Sequence, residues 1–391
     1  MDLKWQTSSD WQGSRVNMII DSHAYCFLAP DSSRGYESSQ DHLNWVQAAH
    51  ASHHQPAFRT IDRQVGPSDV LAPKRIGDFS SLPDLSFRID HSQGRVLWDY
   101  EGQEYTKHFY PPGINNCEFS PHSLITEMDY AGVDLAILHT DPMLVRDSSY
   151  LQECISQYPT RFMAMTPVDE WRIHKDIDQV ISEVNKGIKD NRLHAIKFNP
   201  FGYNESSAPW DGGVYKPFWD SVTDLDVPIF FTLGNGPVDT PLDKSDRFGI
   251  EGYLGELRIL LRWMESYPDS VCSLTHGFPW RLFIDGDKIA LPEEIWEPFK
   301  GDNCNLEVCF PVRLGDLFDF PYRAVWPVLD LMVRNIGSDH LLWGTDMPFQ
   351  NRFCTYRQSR EWIEKYCKFL GRDDIDSIMG DTAARIMKLD N

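Results

Sequence analysis

The feature of this sequence that most constrains its fold is a series of eight short apolar runs, each leading into polar residues. Their length and continuity predict strands that are buried on both faces, as in a parallel sheet. The runs are residues 18–23, 133–139, 161–168, 194–199, 227–233, 271–276, 304–310 and 340–346.

Amphipathic helical patterns follow most of these runs. The first begins at Ser120-Pro121, because Ser is a preferred N-cap and Pro a preferred first helical residue, and it ends at Gly132. Repeated strand and helix units predict a closed (β/α)₈ TIM barrel, with an open doubly wound sheet as the structural alternative. The other predicted helices cover residues 149–158, 176–189, 216–225, 253–267, 322–336, 355–370 and 373–387.

Residues 27–119 interrupt this rhythm between the first run and the first helix. Within them, residues 85–90 and 95–100 flank His91-Ser92-Gln93-Gly94, which predicts a β-hairpin. We expect one domain over residues 1–391, with residues 27–119 as a long insertion in the first βα loop. Because such loops surround the mouth of a barrel, we expect this insertion to cover it.

The composition argues against several classes of binding partner. The net charge of -21 disfavours nucleic acid and anionic membrane surfaces, and no run of about 18 apolar residues offers a membrane span. Residues 1–15 are polar and lack the apolar segment of a secretory signal. The eight cysteines form no Cys-x-x-Cys pair and are expected to be reduced. We expect a cytoplasmic protein that binds a small molecule; a homo-oligomer stays open.

Titratable side chains recur where the predicted strands end. Since the C-terminal ends of barrel strands open into one mouth, these side chains are expected to meet there. A purely structural barrel needs no such concentration, although a satisfied hydrogen bond in the core explains any single one of them. We predict an active site around three of them: His23, His276 and Asp346.

Other polar residues near the predicted mouth have more than one interpretation. Lys197 lies within an apolar run, where a lysine is costly unless paired; it binds a substrate carboxylate or pairs with Glu307. Some of the arginines after the last two runs are placed to reach an anionic substrate: Arg313, Arg352 and Arg357. A histidine group in the insertion matches no standard metal spacing and is interpreted as packing: His50, His53 and His54.

The motifs resemble the amidohydrolase superfamily, in the branch that includes aminocarboxymuconate-semialdehyde decarboxylase and related hydrolases. Four segments carry this resemblance, and Leu-Trp-Gly-Thr-Asp-Met-Pro at residues 342–348 is the most specific of them. The others are Ile-Asp-Ser-His at residues 20–23, Thr-His-Gly at residues 275–277, and residues 124–138.

This resemblance implies a metal-assisted reaction in the barrel mouth. In the family, a His-x-His pair on the first strand, a histidine on the fifth and an aspartate on the eighth hold one divalent ion, and a sixth-strand histidine assists proton transfer. Carried over by position, His23, His276 and Asp346 are present. Tyr25 and Thr232 stand where two of the family's histidine ligands are expected.

These two departures shape the expectation for the metal. Zinc prefers three or more nitrogen, sulfur or carboxylate ligands, and a neutral hydroxyl is a poor substitute. We therefore expect a divalent ion (zinc, manganese or magnesium) held weakly by His23, His276 and Asp346, or no ion. Asp21 beside His23, or His139, remains an alternative ligand.

The leading functional hypothesis is a hydrolase acting on an amide, lactone or related carbonyl bond of a small, carboxylated substrate. Asp346 is the expected general base toward water, and His276 the residue that polarises the carbonyl. Four residues are expected to contact the substrate: Lys197, Tyr25, Thr232 and His139. Two alternatives stay open, a non-oxidative decarboxylase (a carbon–carbon lyase) and a binding barrel without chemistry.

Overall fold

A computed structural model describes residues 18–74, 78–200, 209–234 and 249–389. The eight apolar runs form eight parallel strands, each paired with the next along the chain. Met347 and Ala24 bridge in parallel, and the Asp346 amide donates to the His23 carbonyl at 2.8 Å, which closes the ring. The strands are β1 (Ile20–Ala24), β2 (Leu135–Leu138), β3 (Phe162–Thr166), β4 (Ala195–Phe198), β5 (Ile229–Phe231), β6 (Cys272–Leu274), β7 (Cys304–Val308) and β8 (Leu341–Trp343).

The predicted TIM barrel is therefore confirmed, and its helices follow the predicted pattern. The Ser120 side chain caps the first one by accepting from the Ser123 amide, and Gly132 ends it with a φ of 69°. The α-helices around the barrel are Pro121–Ala131, Ser148–Gln157, Ile173–Lys189, Lys216–Thr223, Ile250–Ser266, Phe310–Leu314, Trp326–Ile336, Tyr356–Glu361, Arg372–Asp376 and Thr382–Ile386.

Three places differ from the simple alternation. The predicted helices over residues 355–370 and 373–387 each include a π-helical turn, at Trp362–Tyr366 and Ser377–Asp381. After β6 the chain forms a short hairpin and a 3₁₀ helix, Glu293–Lys300, instead of an α-helix. Pro298 lies inside that helix, and its missing N–H is incompatible with a regular α-helical ladder.

The insertion between β1 and the helix Pro121–Ala131 has its own secondary structure. Its strands form a five-stranded sheet, in the order Val65–Gly66, Ala57–Arg59, Gln103–Lys107, Arg95–Tyr100 and Arg88–Asp90. The predicted hairpin is present, with Asp90 opposite Arg95. A helix, Ser39–Ser52, was not predicted, because several of its buried positions are polar and blur the apolar period: His42, Gln47 and His50.

The barrel interior is apolar at one end and polar at the other. A buried cluster that includes Ile137, Met165, Phe230 and Leu342 fills the apolar end, and Ile386 of the C-terminal helix packs onto it. The polar strand ends are thereby left to converge at the opposite end, where the candidate site lies. Within the described residues, no helix combines the length and apolar character that crossing a membrane requires.

Candidate active site

His23, on β1, is at the centre of the site and is fully buried. Its Nδ1 lies 2.9 Å from Glu307 Oε2, and its Nε2 lies 3.0 Å from the Tyr25 hydroxyl and 3.2 Å from Asp346 Oδ1. Both nitrogens of this ring are therefore engaged by side chains from other positions around the barrel mouth.

His276 and Asp346 lie together on the open side of His23. His276 Nε2 is 3.3 Å from Asp346 Oδ1, so two imidazole nitrogens converge on a single carboxylate oxygen. Both residues have a left-handed backbone, with φ of 64° and 61°, which turns each side chain sharply at its strand end.

Two glycines in the recognised motifs make this convergence possible. A Cβ on Gly277 would lie 2.8 Å from the Glu307 carbonyl oxygen, and one on Gly344 would lie 3.0 Å from His23 Cβ. Gly277 also has a φ of 75°, which favours glycine. The glycines of Thr-His-Gly and Trp-Gly-Thr-Asp thus allow close approach of neighbouring strands.

Burial determines the protonation of the central groups. It lowers the pKa of His23 to about 3 and that of His276 to about 4, so both rings are neutral at pH 7. Burial alone would raise the pKa of Asp346, but its electrostatic interaction and hydrogen bond with His276, followed by its electrostatic interactions with His23 and Arg352, outweigh burial and lower that pKa. Asp346 is therefore a carboxylate facing neutral imidazoles.

Lys197 and His139 form a buried pair behind the central ring. Lys197 Nζ donates to Thr275 Oγ1 at 2.7 Å and lies 3.3 Å from His139 Nδ1, while His139 Nε2 is 2.8 Å from the Ser22 carbonyl oxygen. Glu307 acts on Lys197 electrostatically, and burial lowers the pKa of Lys197 to about 8. The lysine is thus bound to Thr275 and His139.

Tyr25 and Thr232 are the two departures from the family pattern, and they differ in burial and in their contacts. Tyr25 is buried, with its hydroxyl against His23 Nε2, and burial raises its pKa well above the usual value. Thr232 is partly exposed, and its backbone amide donates to the Phe198 carbonyl at 3.1 Å. Of the two, Tyr25 belongs to the contact network around His23.

Asp21 faces away from the converging donors. Its carboxylate accepts from the Thr345 amide and hydroxyl and from the Tyr356 hydroxyl at 2.6 Å. The pairing of β1 with β2 also shifts register between Asp21 and Ala24. Asp21 therefore ties β1 to the loop after β8, and it is absent from the converging set.

The remaining candidates divide between the mouth and the periphery. Arg313 forms no hydrogen bond or ion pair with the described residues, and Asp346 acts on it electrostatically. Arg357 is bound to Glu361 at 2.7 Å on the surface. In the insertion, His50 Nδ1 contacts the Val46 carbonyl oxygen, which supports the packing interpretation of that histidine.

Three of these side chains offer a donor set for a divalent cation. One ligand atom from each of His23, His276 and Asp346 lies within 4.8 Å of the other two. Two imidazole nitrogens and one carboxylate oxygen, with an open side, are the ligand types of catalytic metal sites. The residues fit such an ion.

A second group of potential ligands fits less well. His23, His139 and Glu307 also lie within 4.8 Å of one another, but His139 Nδ1 faces the Lys197 ammonium at 3.3 Å. A cation placed there would be repelled by the ammonium and would compete with it for the same lone pair. The group of His23, His276 and Asp346 is the better candidate.

Glu307 is the residue whose importance the sequence analysis missed. It was considered only as a partner for Lys197, yet it contacts His23 and also accepts from the His276 amide at 2.6 Å. A glutamate in the middle of the apolar run Asn305-Leu306-Glu307-Val308 was the available signal, because a buried carboxylate needs partners.

Comparison with known proteins identifies the family. Residues 130–389 match the family model described as Amidohydrolase. The chain belongs to the amidohydrolase family. This confirms the resemblance inferred from the strand-end motifs and assigns the chain to a family of enzymes.

Two curated relatives of this amidohydrolase are γ-resorcylate decarboxylases. The γ-resorcylate decarboxylase of Polaromonas sp. is 25% identical over 243 residues, which cover 56% of this chain and 68% of the relative. The γ-resorcylate decarboxylase of Rhizobium radiobacter is 23% identical over 274 residues, covering 63% and 76%.

Solved structures support the amidohydrolase fold. The 2,6-dihydroxybenzoate decarboxylase from Rhizobium has a TM-score of 0.50 at 21% identity, covering 69% of this chain and 88% of that one. The 5-carboxyvanillate decarboxylase from Sphingomonas paucimobilis has a TM-score of 0.52 at 15% identity, covering 96% and 100%.

The relatives correct the leading functional hypothesis. Hydrolysis of an amide or lactone was expected, but the curated relatives are decarboxylases, so the hydrolase interpretation is wrong and the decarboxylase alternative is better supported. The physical reason for the error is that a carboxylate beside an imidazole can move a proton to or from water or carbon. The motif residues alone therefore do not distinguish the two reactions.

Proposed function

We propose that this amidohydrolase is a non-oxidative decarboxylase of a small aromatic carboxylate with a hydroxyl group beside the carboxylate. The names of the curated relatives support this reaction class. The observation on this chain that carries the proposal is the convergence of His23 Nε2 and His276 Nε2 on Asp346 Oδ1, near an Arg313 that no described residue pairs.

The chemistry sets two requirements. The bond between the ring carbon and the carboxylate breaks, CO₂ leaves, and the electron pair stays on the ring carbon, which takes up one proton. No oxidant or reductant is consumed. The site must therefore hold the carboxylate of the substrate and present a proton to the ring carbon.

Arg313 is the proposed anchor for the substrate carboxylate. It is half-buried, it has no partner among the described residues, and burial lowers its pKa. A guanidinium can bind a carboxylate through two parallel hydrogen bonds, and partial burial strengthens that interaction. This role was expected of a cation at the mouth, and the buried Lys197 is less suited to it because it is bound to Thr275.

Asp346 is the proposed proton donor, positioned by His276. Asp346 Oδ1 contacts both imidazoles, so Oδ2 is the oxygen available to carry a proton toward the ring carbon. The ordinary state of this group is ionised, but an anionic substrate bound beside it raises its proton affinity. His276, neutral at pH 7, keeps the carboxylate oriented.

A divalent cation held by His23, His276 and Asp346 completes the proposed site. When bound, it supplies positive charge for the carboxylate and hydroxyl oxygens of the substrate. We propose manganese or zinc over magnesium, because two of the three donors are imidazoles. The Tyr25 hydroxyl, which contacts His23 Nε2 in the metal-free protein, would then be free to donate to a substrate oxygen, because the ion would use the lone pair of that nitrogen.

The insertion is proposed to cover the mouth beside Asp346. Arg352, in the loop after β8, donates to the Phe109 carbonyl at 2.8 Å and contacts His53 Nε2 at 3.2 Å. Phe349 of the same loop packs on Phe109 with ring centroids 5.2 Å apart. These contacts support an insertion that limits the size of the substrate.

The cellular location is proposed from the cysteines. All eight are buried and none forms a disulfide. Cysteines that remain free in this way are typical of a reducing compartment, and we infer that the enzyme is cytoplasmic.

The proposed function is tested by incubating the purified protein with Mn²⁺ and a panel of hydroxylated benzoates, including γ-resorcylate and 5-carboxyvanillate. We expect CO₂ release from at least one ortho-hydroxylated member, and none after His276→Asn or Asp346→Asn. Benzoate without the hydroxyl serves as the matched control substrate. No CO₂ from any member, with a folded and metal-loaded protein, would reject the proposal.

A further inference from the structure

Glu307 connects two of the converging residues through one oxygen atom. Its Oε2 lies 2.9 Å from His23 Nδ1 and accepts from the His276 backbone amide at 2.6 Å. Glu307 is on β7, His23 is on β1 and His276 follows β6, so a single carboxylate oxygen fixes groups from three strands. The glutamate side chain is fully buried.

Gly344 and His139 lie against the Glu307 carboxylate. Gly344 lies directly against it, with a Cβ there 3.5 Å from the Glu307 carboxyl carbon. The other oxygen, Oε1, is 3.6 Å from His139 Nε2 and accepts no hydrogen bond from the part of the chain that the structure describes. His139 Nε2 is itself used by the Ser22 carbonyl, so Oε2 makes the contacts that matter for His23 and His276.

We propose that Glu307 is the positioning residue of the site: it fixes the tautomer of His23 and the turn at His276, so that both Nε2 atoms point at Asp346 Oδ1. This inference rests on the proposed function for its catalytic meaning, while the tautomer is a property of the metal-free protein. Glu307 itself touches neither the proposed substrate nor the proposed ion.

The tautomer follows from the donors and acceptors. When Glu307 is ionised its oxygens can only accept, so Oε2 accepts the His276 N–H and also the hydrogen on His23 Nδ1. The lone pair of His23 is then on Nε2, directed at the Tyr25 hydroxyl and at the converging set. An acceptor behind a ligand histidine both orients the ring and increases its basicity.

The turn at His276 needs the same acceptor. A non-glycine residue with a φ of 64° is strained, and such a backbone persists only where its surroundings hold it. The amide of His276 points into the barrel, where an unsatisfied N–H would be costly. Glu307 supplies the acceptor, and Trp280 Nε1 donates to the His276 carbonyl at 2.9 Å on the other side.

Three variants separate position from charge. Glu307→Leu removes the acceptor at similar volume, Glu307→Asp withdraws it by one methylene group, and Glu307→Gln keeps an oxygen in place without the charge. Glu256→Gln is the matched control. Glu256 is also a buried glutamate, but it lies on the outer helix Ile250–Ser266 and accepts a hydrogen bond from Trp210 Nε1. Two quantities are measured, the Mn²⁺ dissociation constant by calorimetry and the ¹⁵N tautomer signature of His23 in metal-free protein.

We expect the Leu and Asp variants to bind Mn²⁺ about 10- to 100-fold more weakly and to lose the Nδ1–H signature, with Gln close to the wild type in both. The Glu256 variant should match the wild type. The inference is overturned if Leu or Asp leaves both quantities unchanged, or if Gln is as impaired as Leu, since charge would then be decisive. If the Glu307→Leu variant does not fold, the result for the Glu307→Asp variant decides whether the inference holds.

These outcomes are separable from failure of the proposed function. A wild type that binds Mn²⁺ but releases no CO₂ counts against decarboxylation alone, because both readouts still report on Glu307. A wild type that binds no Mn²⁺ counts against the proposed ion, and the ¹⁵N signature of His23 then decides the inference.

Discussion

The ring of His23 stacks on the ring of His139, with centroids 3.7 Å apart and planes 10° from parallel. Both nitrogens of His139 have partners, since Nε2 contacts the Ser22 carbonyl oxygen and Nδ1 contacts Lys197 Nζ. His139 therefore packs against one face of the His23 ring. The ring of His276 also stacks on His23, with centroids 4.5 Å apart. The position of the central imidazole is determined by its neighbours before any substrate binds.

Arg313 should control substrate affinity. Replacing it by methionine removes the proposed anchoring cation and should raise KM for a carboxylated substrate about 10- to 100-fold, since a charge-assisted hydrogen bond contributes about 1.5–3 kcal/mol. Steady-state kinetics measure this effect. The control is Arg357→Met, because Arg357 is exposed and bound to Glu361. Equal KM values for the two variants would argue against the anchor.

Gly344 should tolerate no side chain. A Cβ at this position would lie 2.9 Å from Ser22 Oγ and 3.0 Å from His23 Cβ, and these atoms belong to the tightly packed mouth. Gly344→Ala should lower the free energy of unfolding by about 1–3 kcal/mol and reduce kcat. Gly212→Ala is the control, since its Cβ meets no described atom within 4 Å. A Gly344 variant as stable and active as this control would contradict the packing argument.

The barrel was predictable because its signals are local. Apolar runs, the cap at Ser120 and the stop at Gly132 each specify an element without knowledge of its neighbours. The helix Ser39–Ser52 was hidden because its buried face carries polar side chains such as His42, which contacts the Ser32 and Met143 carbonyls. Such partners are known only once the chain has folded.

The residues of the site could be predicted from the sequence, but the contacts between them could be predicted less well. Strand-end positions identified His23, His276 and Asp346, which the fold brings together. The apolar run around Glu307 indicates a buried carboxylate, but its partners His23 and His276 come from other strands. The contacts of Asp21 with Thr345 and Tyr356 likewise join distant parts of the chain, and such long-range contacts have no local period in the sequence.

Arg352 should couple the insertion to the mouth. Its Nη1 contacts the Phe109 carbonyl and His53, both in the insertion. Arg352→Met should increase proteolysis within residues 27–119 and relax the preference among substrates of different size, measured by limited proteolysis and by relative kcat/KM. Arg88→Met, within the insertion but paired with Glu104 and Asp99, should alter neither. If the Arg352 variant showed unchanged proteolytic cleavage and unchanged substrate selectivity, Arg352 would not couple the insertion to the mouth.

His50 should make the insertion sensitive to acid. Burial, followed by a smaller effect of Lys107, lowers its pKa to about 3 in the folded chain, whereas an unfolded histidine titrates near about 6.5. Between these values the unfolded state binds more protons, so the stability contribution is fully present above about pH 6.5 and is lost as the pH falls.

This pH dependence is measurable by urea unfolding. His50→Asn keeps a donor for the Val46 carbonyl but cannot titrate, so its stability should fall less than that of the wild type between about pH 7 and pH 4.5. Parallel curves for the two proteins would show that His50 does not titrate on unfolding in this range.

The most direct test of the central claim is product analysis in D₂O with the panel substrate that reacts fastest. The account predicts one CO₂ per molecule of product and one deuterium at the ring carbon that carried the carboxylate. Asp346→Asn should form product at least about 100-fold more slowly with an unchanged fold, because it removes the proposed proton donor. Product without CO₂, deuterium elsewhere on the ring, or an Asp346→Asn rate equal to that of the wild type would contradict it.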